Sequence, residues 1–375
     1  MKTDVFELER FQSLYENEVA YNLTESGIHP YSLRELLGPS QLEELMDLRL
    51  TYGQTNGLPE LRERIAGLYN GLTRDHVLVT NGSSEANFIA CMTCLEPGDE
   101  VVMMIPNYMQ ISGITQMLGV TVRHFHLWEE SGWRPDLQQL RQLTNEKTAM
   151  IILCNPNNPT GAVLSMEEMQ EIVSIADSCG AWIYCDEVYR GAELDGVDSP
   201  SFIGLYDKVM VTGGLSKAYA LPGLRLGWLA GPVKTMEEAW ATSDYTSITA
   251  SIFSNQVAIW ALESEKRAEI QARNRNLLRK NLEVFSAWSA TQGKRFRFIP
   301  PKAGGFAFSR YDMDIDANEL VERMRLERDV FLVSGSWFGL NHFLRIGLGS
   351  ETDYFEQALA RVGSALDEWF GEARV

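Results

Sequence analysis

Short apolar runs alternate with helical patterns through the middle of the chain, and this alternation constrains the fold more than any other feature. The runs are continuous, which is typical of strands buried on both faces. They lie at residues 76–80, 101–105, 149–154, 182–185 and 209–212. Helical patterns, such as that at residues 165–177, separate them. The sequence therefore predicts an α/β fold with a mostly parallel sheet flanked by helices.

The pattern changes after about residue 290, where strand-like segments at 304–308 and 343–346 alternate with helical ones at 317–326 and 352–370. A chain of 375 residues is too long for one simple core. We predict a large domain at residues 40–285. A smaller α+β domain combines residues 1–39 with 286–375. A long polar helix, at about 264–286, is expected to link them.

Charge and hydropathy exclude several classes of partner. The net charge of −18 disfavours binding of nucleic acid or anionic membranes through the overall field. No stretch approaches the roughly 20 apolar residues that a membrane span needs. The N-terminal segment MKTDVFELERF lacks an apolar signal core. We therefore expect a cytoplasmic protein without nucleic-acid or membrane partners.

The five cysteines favour reduced thiols, because their number is odd and their spacing fits no disulfide framework. Cys91 and Cys94 have the CxxC spacing of redox or zinc sites. They lie in a predicted helix without a second Cys or His pair, so core packing is the favoured interpretation and no metal site is predicted.

A lysine and an arginine follow the predicted strand at 209–212. Lys217 can act as a nucleophile if its ammonium group loses a proton near neutral pH. Arg225, eight residues later, can hold a phosphate with two parallel hydrogen bonds. Taken alone, such a pair in a glycine-rich loop is more often structural than catalytic.

Three further loops follow predicted strands. Ser83 and Ser84 open a helix, where they form either an anion site or an ordinary N-cap. Asn158 lies in an Asn- and Pro-rich segment that by composition is a turn. Asp186, followed by Tyr189, ends a strand at the edge where α/β sheets bind ligands, although a helix cap or a surface salt bridge is an equal alternative.

In chain order, eight segments resemble the fold-type-I enzymes that depend on pyridoxal 5′-phosphate (PLP), in the branch of the class I and II aminotransferases. The segments are TYGQTNGLPELRERIA, NGSSEAN, PNYMQ, NPNNPTG, DEVYR, SKAYALPGLRLGW, KAGGFAF and FLRIGLG. Each is weak by itself, but together they are specific and cover essentially the whole chain. The resemblance implies a PLP-dependent transferase fold with a large and a small domain.

The resemblance also implies roles at matching positions. Lys217 would hold PLP as a Schiff base and then move protons as a base, while Asp186 would pair with the pyridine nitrogen. The remaining cofactor contacts would come from Asn158 and Tyr189 at the 3′ oxygen, Tyr108 on the ring face, Ser83, Ser84, Ser216 and Arg225 at the phosphate, and Tyr52 from the second subunit of a homodimer. Arg345 would bind the substrate α-carboxylate, and Asn158 would also contribute to the substrate site.

Two positions depart from the family pattern. Gly214 stands where many relatives have a serine or threonine that contacts phosphate, so one phosphate bond is expected from backbone or water. Ile111 replaces an occasional histidine near the ring. Neither departure removes the catalytic core.

The N-terminal segment has apolar residues at positions 8, 11, 14 and 15, which predicts a helix. Glu9 and Glu16 are seven residues apart and therefore share one face about two turns long. This face is either a solvated acidic surface or a receptor for a substrate guanidinium group.

The segment ESGIHPYSLREL resembles the capreomycidine and enduracididine synthase branch, whose members use PLP to cyclise hydroxylated arginine. Two functions therefore stay open. The first is an aminotransferase that acts on an L-amino acid through an external aldimine and a quinonoid intermediate. The alternative is an elimination and cyclisation of a hydroxylated arginine. A PLP-sensing transcription regulator is disfavoured, because only about 20 residues precede the segment and the charge is acidic.

Overall fold

The computed structural model describes residues 4–371. Its strands are β1 (Tyr21–Asn22), β2 (Val77–Thr80), β3 (Glu100–Ile105), β4 (Thr121–Trp128), β5 (Arg134–Pro135), β6 (Thr148–Cys154), β7 (Trp182–Asp186), β8 (Val209–Gly214), β9 (Gly227–Ala230), β10 (Phe296–Phe298), β11 (Phe306–Tyr311), β12 (Val330–Phe331), β13 (Val333–Ser334) and β14 (Phe343–Gly347). Its α-helices are α1 (Glu7–Tyr15), α2 (Leu33–Leu36), α3 (Pro39–Met46), α4 (Pro59–Ala66), α5 (Ser83–Cys94), α6 (Gln110–Met117), α7 (Leu137–Leu143), α8 (Met166–Cys179), α9 (Val233–Ser243), α10 (Ile252–Ala261), α11 (Ser264–Thr291), α12 (Ala317–Arg328) and α13 (Thr352–Phe370).

The central sheet has eight strands in the order β2-β9-β8-β7-β6-β3-β4-β5. Its middle strands, from β8 to β4, run parallel. Strands β9, β2 and β5 add antiparallel pairings at the two edges. The predicted α/β fold with a mostly parallel sheet is confirmed.

Both faces of this sheet are covered by apolar side chains, as the continuous apolar runs predicted. In β3, Val102 and Met104 belong to one buried cluster, whereas Val101 and Met103 belong to another. Successive side chains of a strand point to opposite faces, so the two clusters lie on opposite sides of the sheet. All four residues are fully buried.

The order of the strands brings three loops to one edge of the sheet. The parallel strands β6, β7 and β8 are neighbours, and their carboxyl ends lead to Asn155, Asp186 and Leu215. Carboxyl ends of parallel strands meet at the same edge, which is where open α/β sheets bind ligands. The segments that the sequence analysis singled out therefore converge.

A second, antiparallel sheet contains the strands β10-β11-β14-β13. The N-terminal segment joins this part of the molecule, because β1 pairs in parallel with β12. The long helix α11 packs against β10 and α13. The domain limits at residues 39/40 and 285/286 stay a prediction, and α11 crosses the second of them without a break.

Some predicted elements differ in their limits. Residues 304–305 precede β11 instead of forming its start, because Gly304 has a φ of 89° and Gly305 lies against the backbone of Gly27. Helix α11 extends to Thr291, beyond the predicted residue 286. The predicted apolar stripe of α1 includes Leu14, but this side chain is exposed.

Cys91 and Cys94 lie in α5, as predicted, and both are free thiols. Burial raises the pKa of each thiol to about 12. Among residues 4–371, no group of three or more His, Cys, Asp and Glu side chains is arranged to hold a metal ion. The described helices include none that is both long and apolar enough to cross a membrane.

Candidate active site

Lys217 follows β8 at the carboxyl edge of the central sheet. Its ammonium Nζ lies 2.8 Å from Oε1 of Glu25, a residue of the N-terminal segment. Burial lowers the pKa of Lys217, but the charge of Glu25, the nearby Tyr189 and the hydrogen bond to Glu25 together outweigh this effect, and the pKa is raised. The same ion pair lowers the pKa of Glu25 to about 2. In this structure Lys217 is therefore a cation.

Asp186 ends β7 and is only 6% exposed. Its Oδ1 accepts a hydrogen bond of 3.1 Å from the amide of Val188. Burial nevertheless raises the pKa of Asp186 from 3.8 to about 6. Within residues 4–371 no cationic side chain forms an ion pair with it, since Lys217 pairs with Glu25. This carboxylate would be stabilised by a positively charged ligand group.

Hydroxyl groups and a guanidinium group surround the N-terminus of helix α5. Ser83 and Ser84 form its first turn, where backbone N–H groups have no partner within the helix. Arg225 Nη1 donates to Ser216 Oγ over 3.3 Å. A side chain at Gly82 would stand 2.6 Å from the Arg225 guanidinium, so glycine leaves this space open. The arrangement suits an anion such as a phosphate group.

Arg345 lies in β14 and is 1% exposed. Its Nη1 donates to Asn158 Oδ1 over 2.9 Å, and its Nη2 donates to the carbonyl oxygen of Thr24 over 2.7 Å. Its Nε has no hydrogen-bond partner within residues 4–371. Because no carboxylate of this part of the chain forms an ion pair with the guanidinium group, it is available to a carboxylate ligand.

Two tyrosines connect this site to the N-terminal segment. The hydroxyl of Tyr189 donates to Ser26 Oγ over 2.9 Å, and burial raises the pKa of Tyr189 to about 12. The hydroxyl of Tyr108 donates to Glu9 Oε1 over 2.7 Å. Both phenols therefore stay neutral at physiological pH and act as hydrogen-bond donors.

Helix α1 lies over the site and is tethered to the segment that follows it. Gln12 donates from Nε2 to the carbonyl oxygen and the hydroxyl of Thr24 over 3.1 and 3.0 Å. Glu16 follows the last turn of α1, and its pKa is raised by burial and by the charges of Glu25 and Glu9. The negatively charged groups of Glu9, Glu16 and Glu25 are thus close together where helix α1 meets the cavity.

One cavity of about 410 Å³ gathers these groups. It is lined by all the predicted site residues except Tyr52: Glu9, Glu16, Ser83, Ser84, Tyr108, Asn158, Asp186, Tyr189, Ser216, Lys217, Arg225 and Arg345. Tyr52 lies outside it and is 85% exposed in the single chain. Gly214, the departure noted in the sequence, borders Ser83 at the same end.

The cavity also contains residues that the sequence analysis did not select, among them Gln12, Glu25, Ser26 and Asn87. Glu25 belongs to the ESGIHPYSLREL segment, yet nothing in the sequence relates it to Lys217, 192 positions away. Asn87 follows Ser83 by about one helical turn, and this spacing was an available signal for it.

Comparison with known proteins identifies the family. The model of "Aminotransferase class I and II" matches residues 34–362, which is most of the chain. The chain belongs to this family. Its fold is the PLP-dependent transferase fold of type I, and the protein is a PLP-dependent enzyme of the aminotransferase type.

Individual relatives agree with this assignment. Capreomycidine synthase from Streptomyces vinaceus is 30% identical over 355 residues, covering 92% of this chain and 89% of the relative. Aromatic-amino-acid aminotransferase 2 from Thermococcus litoralis is 28% identical, with 87% of each protein covered. A PLP-dependent aminotransferase from Streptococcus suis superposes with a TM-score of 0.93 and 33% identity over 98% of this chain and 99% of that one.

The residues present fit PLP. The anion-binding end at Ser83, Ser84 and Arg225 suits its phosphate, and the buried Asp186 lacks the cation that a protonated pyridine ring would supply. Lys217 lines the same cavity. The cavity thus offers a partner to the phosphate, to the protonated pyridine nitrogen and to the aldehyde of PLP.

Proposed function

We propose that this enzyme acts on an L-amino acid whose side chain carries a positive charge, and that it transfers the amino group. The observation that carries the proposal is the acidic wall of the cavity, where Glu9, Glu16 and Glu25 face Lys217 and Arg345. Arg345, buried and without a carboxylate partner in the described chain, is the proposed site of the substrate α-carboxylate.

The proposed roles of the cofactor contacts follow from their chemistry. PLP supplies an aldehyde carbon and an electron-withdrawing ring when bound. Lys217 provides the amine that holds it and afterwards removes and returns the substrate Cα proton. Asp186 keeps the pyridine nitrogen protonated. The other proposed contacts are Tyr108 at the ring face, Asn158 and Tyr189 at the 3′ oxygen, and Ser83, Ser84, Ser216 and Arg225 at the phosphate.

Crowding among the carboxylates supports a cationic substrate. The charges of Glu9 and Glu25 contribute to the raised pKa of Glu16, so each of these two carboxylates repels the Glu16 carboxylate. A guanidinium or ammonium group between them would offset this repulsion and donate hydrogen bonds to the carboxylate oxygens. Helix α1, tethered through Gln12, would hold two of the three carboxylates over the substrate.

A second reaction is favoured by one comparison. The similarity to capreomycidine synthase extends over 92% of this chain, well beyond the segment ESGIHPYSLREL. We therefore propose elimination and cyclisation of a hydroxylated arginine as the alternative outcome in the same site. Both reactions use the same α-carboxylate and side-chain contacts, and they differ in whether a leaving group departs.

The test compares L-arginine with L-citrulline, which has nearly the same shape but no charge. We expect kcat/KM to favour arginine by about tenfold to hundredfold, because a charge-assisted hydrogen bond contributes about 1.5–3 kcal/mol. The variants Glu9→Gln and Glu16→Gln should reduce this preference while PLP content stays unchanged.

Glu7→Gln is the matched control, since Glu7 is on α1 but does not line the cavity. Mass spectrometry of the products separates the two reactions: a 2-oxoacid indicates transamination, and loss of water from hydroxyarginine indicates elimination. Equal use of arginine and citrulline by the wild-type enzyme would contradict the proposed substrate class.

A further inference from the structure

Glu25 is held in place by two hydrogen bonds from different parts of the chain. Its Oε1 accepts one from Lys217 Nζ over 2.8 Å and one from the amide of Gly27 over 2.6 Å. Its side chain also lines a second cavity of about 300 Å³, next to Gly27 and His29. Glu25 therefore stands between the floor of the active site and a second opening.

This ion pair opposes the chemistry of Lys217. A protonated lysine has no free electron pair and cannot attack an aldehyde, so Lys217 must lose a proton before it holds PLP. The Glu25 carboxylate stabilises the protonated form. Once the amine is bound to the cofactor, Glu25 loses the ammonium partner that it has in this structure.

The Glu25 side chain is about half-exposed and lines the cavity, so the freed carboxylate is accessible to a new cationic partner. Arg345 contributes positive charge but donates to Asn158 and Thr24, not to Glu25. The other groups that face Lys217 and Glu25 are Tyr189, which is neutral, and Glu16, which is an acid. Among the described residues only Lys217 forms an ion pair with Glu25, whereas the proposed substrate would bring a new cation into the cavity.

We propose that Glu25 exchanges one cation for another: it pairs with the Lys217 ammonium group in the cofactor-free protein and with the side-chain cation of the substrate in the PLP-bound enzyme. Glu25 is thereby both a positioning residue for Lys217 and a determinant of substrate charge. The second half of the exchange rests on the proposed function, while the first half does not.

The first half is tested on protein freed of PLP by dialysis against hydroxylamine. PLP is added in excess, and the rate at which the absorbance of bound PLP grows is measured between pH 6 and 9. Because the pKa of Lys217 lies above this range, the uptake rate should rise with pH throughout it. In Glu25→Gln the profile should be displaced by about one pH unit to lower pH, so that uptake at pH 7 is roughly tenfold faster. Glutamine keeps an oxygen that can accept from Gly27. Glu16→Gln, in the same cavity but without contact to Lys217, should displace the profile less.

The second half is tested by calorimetric titration of the PLP-bound enzyme with δ-guanidinovalerate, which lacks an α-amino group and cannot react. Its neutral control is δ-ureidovalerate. Glu25→Gln should weaken binding of the guanidino compound by about tenfold to hundredfold and leave the ureido compound unaffected. Glu25→Asp, which keeps the charge, should retain a preference for the guanidino compound.

Each half has its own contrary result. An uptake profile of Glu25→Gln that coincides with that of the wild type overturns the resting ion pair. A wild-type enzyme that prefers the guanidino compound, together with a Glu25→Gln variant that keeps the full preference, overturns the exchange but leaves the proposed substrate class intact. A wild-type enzyme without any preference overturns the proposed substrate class and the exchange together.

Discussion

The substitution Asp186→Asn should stabilise the cofactor-free protein at neutral pH, although it removes a group from the active site. Asp186 is buried at the end of β7, and burial raises its pKa to about 6. The cofactor-free wild-type protein therefore holds a buried carboxylate that forms no ion pair within residues 4–371. Asparagine keeps an oxygen for the amide of Val188 but carries no charge.

The size of the effect follows from the pKa. A rise from 3.8 to about 6 is worth about 3 kcal/mol, because one pKa unit corresponds to about 1.4 kcal/mol. The folded protein binds this proton more tightly than the unfolded chain. Wild-type stability is therefore lost as the pH rises from about 4 through about 6 and is then constant. The asparagine variant has no such loss, so its advantage grows by about 1.4 kcal/mol between pH 5 and 8.

The assay is urea unfolding of both proteins without PLP, at equal protein concentration and several pH values from 5 to 8. Burial raises the pKa of Glu187 to about 7 in the wild type, and the Asp186 charge contributes to this rise. Removing that charge should lower the pKa of Glu187 and thus add to the advantage of the variant in the same direction. Bound PLP should reverse this order of stability, because it should raise the melting temperature of the wild type more than that of the variant. The variant should also lose most of its activity. Equal stability at pH 8, or a difference that is the same at pH 5 and 8, would refute the reasoning.

Two further predictions concern the cofactor. Lys217→Ala should abolish turnover and leave PLP bound without a covalent link, and borohydride reduction of the wild type should attach the label to Lys217; a label on another lysine would contradict this. We also propose a homodimer in which Tyr52, 85% exposed in one chain beside the exposed Leu50, contacts the phosphate bound by its partner. Tyr52→Phe should then raise the dissociation constant of PLP by roughly tenfold, and sedimentation at assay concentration should show a dimer; a fully active monomer would disprove the arrangement.

Five strands of the central sheet, β2, β3, β6, β7 and β8, were predicted because their burial leaves a continuous apolar run in the sequence. Strand β4, which is only partly buried, and the two-residue β5 were not predicted. Strand β9 was missed, since its four residues begin with Gly227, directly after the loop of Arg225, and offer no periodic pattern. Strands β1 and β12 have two residues each, too few for any pattern. Their pairing depends on contacts between residues 21–22 and 330–331 that local sequence does not encode.

Site residues that lie next to the ends of predicted strands could be predicted from the sequence, whereas contacts between distant parts of the chain could not. Asp186 ends β7, and Ser83 and Lys217 each lie three residues after the end of a strand. Strand order alone therefore brings these residues to one edge of the sheet. Arg345 and Asn158 are 187 positions apart in the chain, and only the family resemblance selected Arg345. Tertiary packing, which places β14 beside the loop after β6, creates this contact.

Glu25 shows why charge balance must be read from the assembled site. In the sequence it is one acid among 51 Asp and Glu residues, and its segment offers no chemical pattern that points to Lys217. In the structure it joins Glu9 and Glu16 around one cavity, opposite the guanidinium groups of Arg225 and Arg345. The phosphate of PLP and the substrate α-carboxylate would occupy those two guanidinium groups and add negative charge of their own. An acidic or neutral substrate side chain would leave the three carboxylates without a counter-charge. A cationic side chain would neutralise part of the negative charge in the cavity, and this is the physical reason to test guanidino substrates first.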